Sequence, residues 1–341
     1  MIPILDMHCD TVSQILNARL TGKTAALRQN ELDADLGRMR SAGYLCQNFA
    51  LFTYLGHWVP GSDHRLEAVA ERYPTPTDYA LALSDTLDAE VAANPDLVRP
   101  VTTATEIEEN FRSGKLSALK TIEEGAVYRG DPALVREFYD RGVRMTTITW
   151  NYENELGFPN RKVPGKGVVP DTENGLTPVG KDFVALCKEL GIIVDISHLN
   201  DAGIRDVFSV MGKTPFVASH SNARALTGHP RNLTDEMLRR LADCGGVTGI
   251  NFCSDFINDR NDGLTRIDDI VRHIRYIENV AGIDAIGLGS DFDGIDNRVE
   301  TDGCDGMQQI AAALSREGFS EEKIEKIFYK NALRVYRDIL G

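Results

Sequence analysis

The sequence predicts an α/β fold of the TIM (β/α)8 barrel type with extra N-terminal and C-terminal helices, and three observations carry that prediction. Short apolar, β-rich runs recur eight times, and most are followed by a stretch of helical periodicity. No repeat, low-complexity tract or Pro/Ser linker divides the 341 residues. Residues 1–341 therefore read as a single barrel domain. A doubly wound open sheet is the competing architecture.

The runs, in order, are Ile2–Met7, Tyr44–Phe52, Ala118–Ile122, Val143–Thr149, Ile192–Ile196, Phe216–Ala218, Val247–Phe252 and Ala285–Leu288. The first connection, Cys9 to Gly43, is long enough to need helix of its own. Amphipathic stretches follow at Asp131–Arg141, Pro178–Leu190, Asp201–Met211, Thr234–Asp243 and Ile267–Val280. Thr177-Pro178 places an N-cap before a proline at the first helical position, and Gly191 follows the end of that helix. The tail after Ser320 reads as one or two closing helices.

Composition narrows the function classes. The net charge of −14 repels phosphate backbones and anionic lipid, so neither nucleic acid nor a membrane surface is an expected partner. No stretch approaches the roughly 18 apolar residues of a membrane span. The start lacks a signal-peptide profile, so a cytoplasmic location is expected. The six cysteines show no CxxC and no regular spacing, which fits free, mostly buried thiols.

Barrel enzymes place their working residues where strands end at the C-terminal face. Those ends read His8-Cys9-Asp10, Glu123-Glu124-Gly125, Trp150-Asn151, Ser197-His198, Ser219-His220-Ser221, Asn251 and Ser290-Asp291-Phe292-Asp293. His8 and Asp10 stand two apart on an extended segment, so both side chains face one way and converge on a point. One imidazole and one carboxylate there suit Zn²⁺ at ~2.0–2.2 Å. His198 and His220 give a second nitrogen pair, and Glu123 can supply a carboxylate that bridges two ions. Alone, each residue is explained as well by a polar strand end or a satisfied core histidine. Their joint occurrence at several strand ends is not.

These residues resemble the membrane (renal) dipeptidases, binuclear zinc peptidases. The likeness runs from Leu5-Asp6-Met7-His8-Cys9-Asp10 to Lys330-Asn331-Ala332-Leu333-Arg334-Val335, through Cys46-Gln47-Asn48-Phe49, Val194-Asp195-Ile196-Ser197-His198, Ser219-His220-Ser221-Asn222-Ala223, Pro230-Arg231-Asn232 and Gly289-Ser290-Asp291-Phe292-Asp293-Gly294. The resemblance implies two Zn²⁺ per chain. His8, Asp10 and Glu123 would hold one, and Glu123, His198 and His220 the other. It also implies that Arg231 clamps the substrate carboxylate, although a surface salt bridge is the plain reading of a lone arginine. Asp291 is the implied proton shuttle, while Asp293 competes by parity alone. A hydroxide shared by the two ions would attack the peptide carbonyl of a dipeptide, with a D-residue tolerated at the C-terminal position and a homodimer as a common assembly.

Two departures mark this chain. The family's Glu-Gly-Gly-His reads Glu123-Glu124-Gly125-Ala126 here, and Trp150 replaces a histidine at the end of the fourth strand. Trp150 and Asn151 are therefore candidate substrate contacts, or Trp150 simply packs on the rim. His57, Trp58 and His64 are candidates for the pocket mouth or for plain loop polarity. A related amidohydrolase acting on another amide or a lactone, and a catalytically silent barrel, remain the alternative functions.

Overall fold

The computed structural model describes residues 1–341. Eight strands form the barrel: β1 (Ile4–Cys9), β2 (Tyr44–Phe52), β3 (Leu116–Glu123), β4 (Val143–Thr147), β5 (Ile193–Asp195), β6 (Val217–Ala218), β7 (Val247–Ile250) and β8 (Ile286–Leu288). Each pairs in parallel with its neighbour in chain order. β8 returns to β1 with Leu288 opposite Asp6, which closes the ring and excludes the open sheet. No helix is long and apolar enough to cross a membrane.

Helices cover the outside for the reasons the sequence offers. Thr177 Oγ1 accepts from Gly180 N at 3.0 Å, Pro178 opens the helix that runs to Leu190, and Gly191 ends it at φ 73°. The long first connection contains helices Thr11–Leu20 and Leu36–Ala42. The tail forms Glu321–Glu325 and Asn331–Leu340, joined by one π-helical turn.

One strand escaped the sequence reading. Val98–Val101 pairs with the first half of β3, below the point where β4 takes over from Lys120. Only its two valines are buried, and Pro100 sits between them, so its period-2 signal is short and carries the mark of an edge.

The end of the barrel away from the strand C-termini is plugged. Leu5, Met7, Leu119, Met145, Ile193, Val217 and Val247 pack with Leu333, Val335 and Tyr336 of the closing helix. Tyr336 also receives a hydrogen bond at its hydroxyl from Asn48 Nδ2 at 2.7 Å. With that end filled by apolar side chains, the polar residues gather at the other.

Candidate metal centre

Every metal-site residue read from the sequence lands at the C-terminal end of the barrel. His8 is the fifth residue of β1, Asp10 follows that strand, and Glu123 ends β3. His198, His220 and Asp291 stand just past β5, β6 and β8. All six are buried. His198 and Asp291 adopt φ 69° and 64°, in the left-handed region that L-residues rarely occupy. Such strain persists only where the surroundings impose it, and it concentrates at working sites.

Glu123 is central. Its Oε2 lies 3.2 Å from His8 Nε2, and its Oε1 lies 3.1 Å from His198 Nε2 and 3.6 Å from His220 Nε2. Asp10 Oδ2 approaches His8 Nε2 at 3.4 Å. Three donor triads result, His8/Asp10/Glu123, Glu123/His198/His220 and His8/His220/Asp291, each with its ligand atoms within 4.8 Å of one another. The first two share Glu123, as a bridging carboxylate requires.

The chemistry of these donors fits a pair of cations. Ser219 Oγ gives its one proton to Asp195 Oδ2 at 2.5 Å and so accepts from His220 Nδ1 at 2.7 Å. That fixes the tautomer and leaves an acceptor lone pair on His220 Nε2. Asn151 Oδ1 holds His198 Nδ1 in the same sense at 3.1 Å. The two Nε2 atoms then face each other at 2.9 Å, lone pair to lone pair. Burial drives both rings well below the usual imidazole pKa, reinforced by Arg231 at His198 and by His8 at His220, whereas Glu123 and Asp10 outweigh burial at His8 and hold it well above that value. His8 Nε2 and Asp10 Oδ1 are buried without a hydrogen-bond partner. Burial also pushes the Asp10 carboxyl up to about 6 and Asp291 up to about 8. Cations between these donors remove each of these costs at once.

The neighbouring candidates separate by direction. Asp291 receives Asn251 Nδ2 at 2.9 Å and approaches His8 Nε2 at 3.8 Å. Asp293 instead accepts from Thr11 Oγ1 at 2.5 Å and from Asp33 N at 2.7 Å, which ties it to the first loop. Gly294 lies where an added Cβ would come 2.0 Å from Asp10 Oδ2 and 2.6 Å from Asp291 Oδ1, so these two carboxylates leave no room for any side chain. Glu124 turns away from the cluster at φ 95° and accepts from Ala126 N at 2.8 Å, Trp150 N at 3.1 Å and Asn154 Nδ2 at 2.6 Å.

Arg231 is no surface salt bridge. It is buried, with Nη1 bonded to Ser221 Oγ and Nη2 to the His220 carbonyl, both at 3.2 Å, while its Nε has no partner. Trp150 is half-buried against Phe52, Tyr54 and His198, with ring centroids at 5.1, 5.5 and 5.7 Å. Asn151 both orients His198 and lines the cavity above the ligands. Of the mouth candidates, His64 lines a cavity with Arg231. His57 is buried and accepts from Leu66 N at 3.1 Å, and Trp58 donates to the Tyr73 carbonyl at 2.9 Å, so both serve the fold.

Asp195, Ser219 and Glu124 were not singled out for these contacts by the sequence. The signal for Ser219 was its place directly before a candidate ligand histidine. Asp6 repeats the arrangement across the barrel, accepting from Ser290 N at 2.9 Å and Ser290 Oγ at 2.6 Å beneath His8 and Asp291.

Comparison with known proteins agrees with this geometry. The model for the membrane dipeptidases, peptidase family M19, matches residues 1–340. A Klebsiella pneumoniae protein named only for the pqqA 5′ region is 35% identical over 252 residues, 73% of this chain and 92% of its own. Dipeptidase ataJ of Aspergillus terreus is 30% identical over 356 residues, 99% of this chain and 85% of its own. A metallopeptidase of Rhodobacter sphaeroides, solved with a phosphinate mimic of the dipeptide L-Ala-D-Ala, is 28% identical with a TM-score of 0.86 over 99% of each chain. A family match over this length, on a barrel with these converging donors, means that the chain belongs to the membrane dipeptidase family, peptidase family M19, and is a metallo-dipeptidase.

Proposed function

We propose that the chain hydrolyses dipeptides with two zinc ions, one held by His8, Asp10 and Glu123 and the other by Glu123, His198 and His220. The observation that carries this reading is the pair of donor triads meeting on Glu123. When bound, such cations would lower the pKa of a bound water and polarise the scissile carbonyl.

The chain's own groups supply the rest. Arg231 presents unused N–H donors to the carboxylate of the C-terminal residue, so the substrate is oriented from that end. Asn251 holds Asp291 with its carboxyl directed at the cluster, where it takes the proton of the attacking water and returns it to the leaving amine. Asp195 through Ser219, and Asn151 directly, keep Nε2 of His220 and His198 free to serve as ligands. The phosphinate-bound relative supports a D-residue at the C-terminal position.

Metal analysis of the purified protein, with a screen of L,L- and L,D-dipeptides before and after chelation, tests the proposal. About two zinc per chain and chelator-sensitive turnover are expected. A metal-free protein, or turnover that survives metal removal, overturns it.

A further inference from the structure

We propose that the cavity beside Arg231 receives the side chain of the substrate's C-terminal residue and selects an aromatic one. This rests on the reading that Arg231 takes the terminal carboxylate.

Two cavities meet above the barrel. One, of about 360 Å³, contains Asp10, Glu123, His198 and Asp291 in its lining. The other, of about 610 Å³, is lined by Arg231 together with Tyr54, Trp150, Tyr152 and Phe256. Trp150, Asn151 and Phe256 border both, so they form the wall between them. A dipeptide with its peptide bond over the metal ligands and its carboxylate on Arg231 must lie along that wall. A side chain that its last residue turns toward Trp150 and Phe256 then enters the larger space.

The lining of that space is aromatic on more than one side. Tyr54 meets Trp150 edge-on at 5.5 Å and 87°, Tyr152 stacks beside Trp150 at 6.2 Å and 25°, and the two tyrosine hydroxyls stand 3.3 Å apart. Phe256 lies on the other side, its ring centroid 5.3 Å from the Arg231 guanidinium carbon. All four rings are only half-buried. Half-exposed rings gathered in one concavity mark a place where apolar surface is covered on binding. A phenyl or indole ring adds edge-to-face or stacked contacts that a methyl group does not. The wall is also fixed: Glu124 holds the Trp150 backbone N–H, and Phe52 backs the indole. Preorganised rings order little on binding, so the contact appears as affinity.

Charge offers a different occupant, since Lys162 stands on the same lining and favours an acidic side chain, but Asp63 there opposes it. The rings border Arg231 and the metal cavity together, which favours the aromatic residue.

The test is a kcat/KM series with the zinc-loaded enzyme on Gly-Ala, Gly-Glu, Gly-Phe and Gly-Trp, each with the C-terminal residue in L and D form. The reversed pair Ala-Gly and Phe-Gly and the C-terminal amides complete the series. Gly-Phe and Gly-Trp are expected to exceed Gly-Ala by about ten- to a hundredfold, mainly through KM. Phe-Gly is expected to gain nothing over Ala-Gly. Trp150→Ala and Tyr152→Leu should each bring the Gly-Phe to Gly-Ala ratio toward one with zinc content unchanged.

Equal rates for Gly-Phe and Gly-Ala, a preference for Gly-Glu, or a ratio that survives both substitutions overturns the aromatic selection while the amides remain poor substrates. Amides cleaved as fast as the acids overturn the carboxylate reading, and this inference with it.

Discussion

Replacing Arg231 separates a substrate clamp from a structural prop. A guanidinium carries five N–H donors. Arg231 directs one to Ser221 Oγ and one to the His220 carbonyl, and its Nε has no partner in the protein. The group is buried and burial lowers its pKa, so the fold pays for an ion that it pairs only incompletely. A bound carboxylate answers that cost with two charge-assisted bonds of about 1.5–3 kcal/mol each. Arg231→Ala should therefore remove about 3–5 kcal/mol of transition-state binding, or roughly 10²–10⁴ in kcat/KM for a dipeptide acid. Arg231→Lys keeps the charge without the fork and should fall between the two. The assay is kcat/KM for a dipeptide and its C-terminal amide, with zinc content measured on the same samples. The amide has no carboxylate to lose, so its already low value should change by less than about tenfold. An equal loss on acid and amide would show that Arg231 acts by holding His220 through its carbonyl, and the clamp would be refuted.

Four further outcomes follow from the same contacts. Because Glu123 serves both triads and Asp10 only one, Glu123→Ala should lower zinc stoichiometry toward zero while Asp10→Asn leaves about one ion, as read by elemental analysis; identical losses would contradict a shared bridge. Ser219→Ala frees the His220 tautomer and should weaken zinc about 10–100-fold in chelator competition, whereas unchanged affinity would leave the Asp195–Ser219 pair without that role. Glu124→Gly relieves φ 95° but leaves the buried Ala126 N–H and the half-buried Trp150 N–H without their acceptor at about 1–3 kcal/mol each, while Asn154 Nδ2 keeps the Ile148 carbonyl, so a net loss of about 1–4 kcal/mol is expected in urea unfolding; parental stability would mean the bonds are worth no more than the strain. His273 is buried, accepts from Ala223 N at 3.2 Å, donates to the Ile257 carbonyl at 3.0 Å, and is held at about 4, chiefly by burial. The unfolded chain binds the extra proton first, so this site's contribution is complete above pH ~6.5 and falls by up to ~3 kcal/mol as pH drops toward 4. Urea midpoints of metal-free protein should show that slope, and His273→Gln should flatten it; a parallel slope in the variant would assign the acid loss elsewhere.

What the sequence revealed and what it hid divide along a physical line. A barrel strand announces itself locally, because a short apolar run must be buried whatever surrounds it, and eight such runs suffice to expect the barrel. His8 and Asp10 share a face through period-2 geometry alone, and the barrel rule then brings His198 and His220 to the same rim. Val98–Val101 was hidden because an edge strand buries only two of its four side chains. His57 and His64 looked alike as loop histidines, yet one accepts a backbone N–H in the interior and the other borders the cavity beside Arg231.

Glu124 and Trp150 show the limit most clearly. Read along the chain, Glu124 and Trp150 are unrelated residues, 26 positions apart. In the fold, the Glu124 carboxylate accepts the Trp150 N–H, so the residue placed where a glycine would be easier fixes the turn that carries the indole. A glutamate in that strained conformation has to be held by its side-chain contacts, and those contacts lie on the loop that walls the cavity beside Arg231. The two residues therefore form one unit of the cavity wall, set apart from the metal-ligand candidates and facing the space beside Arg231.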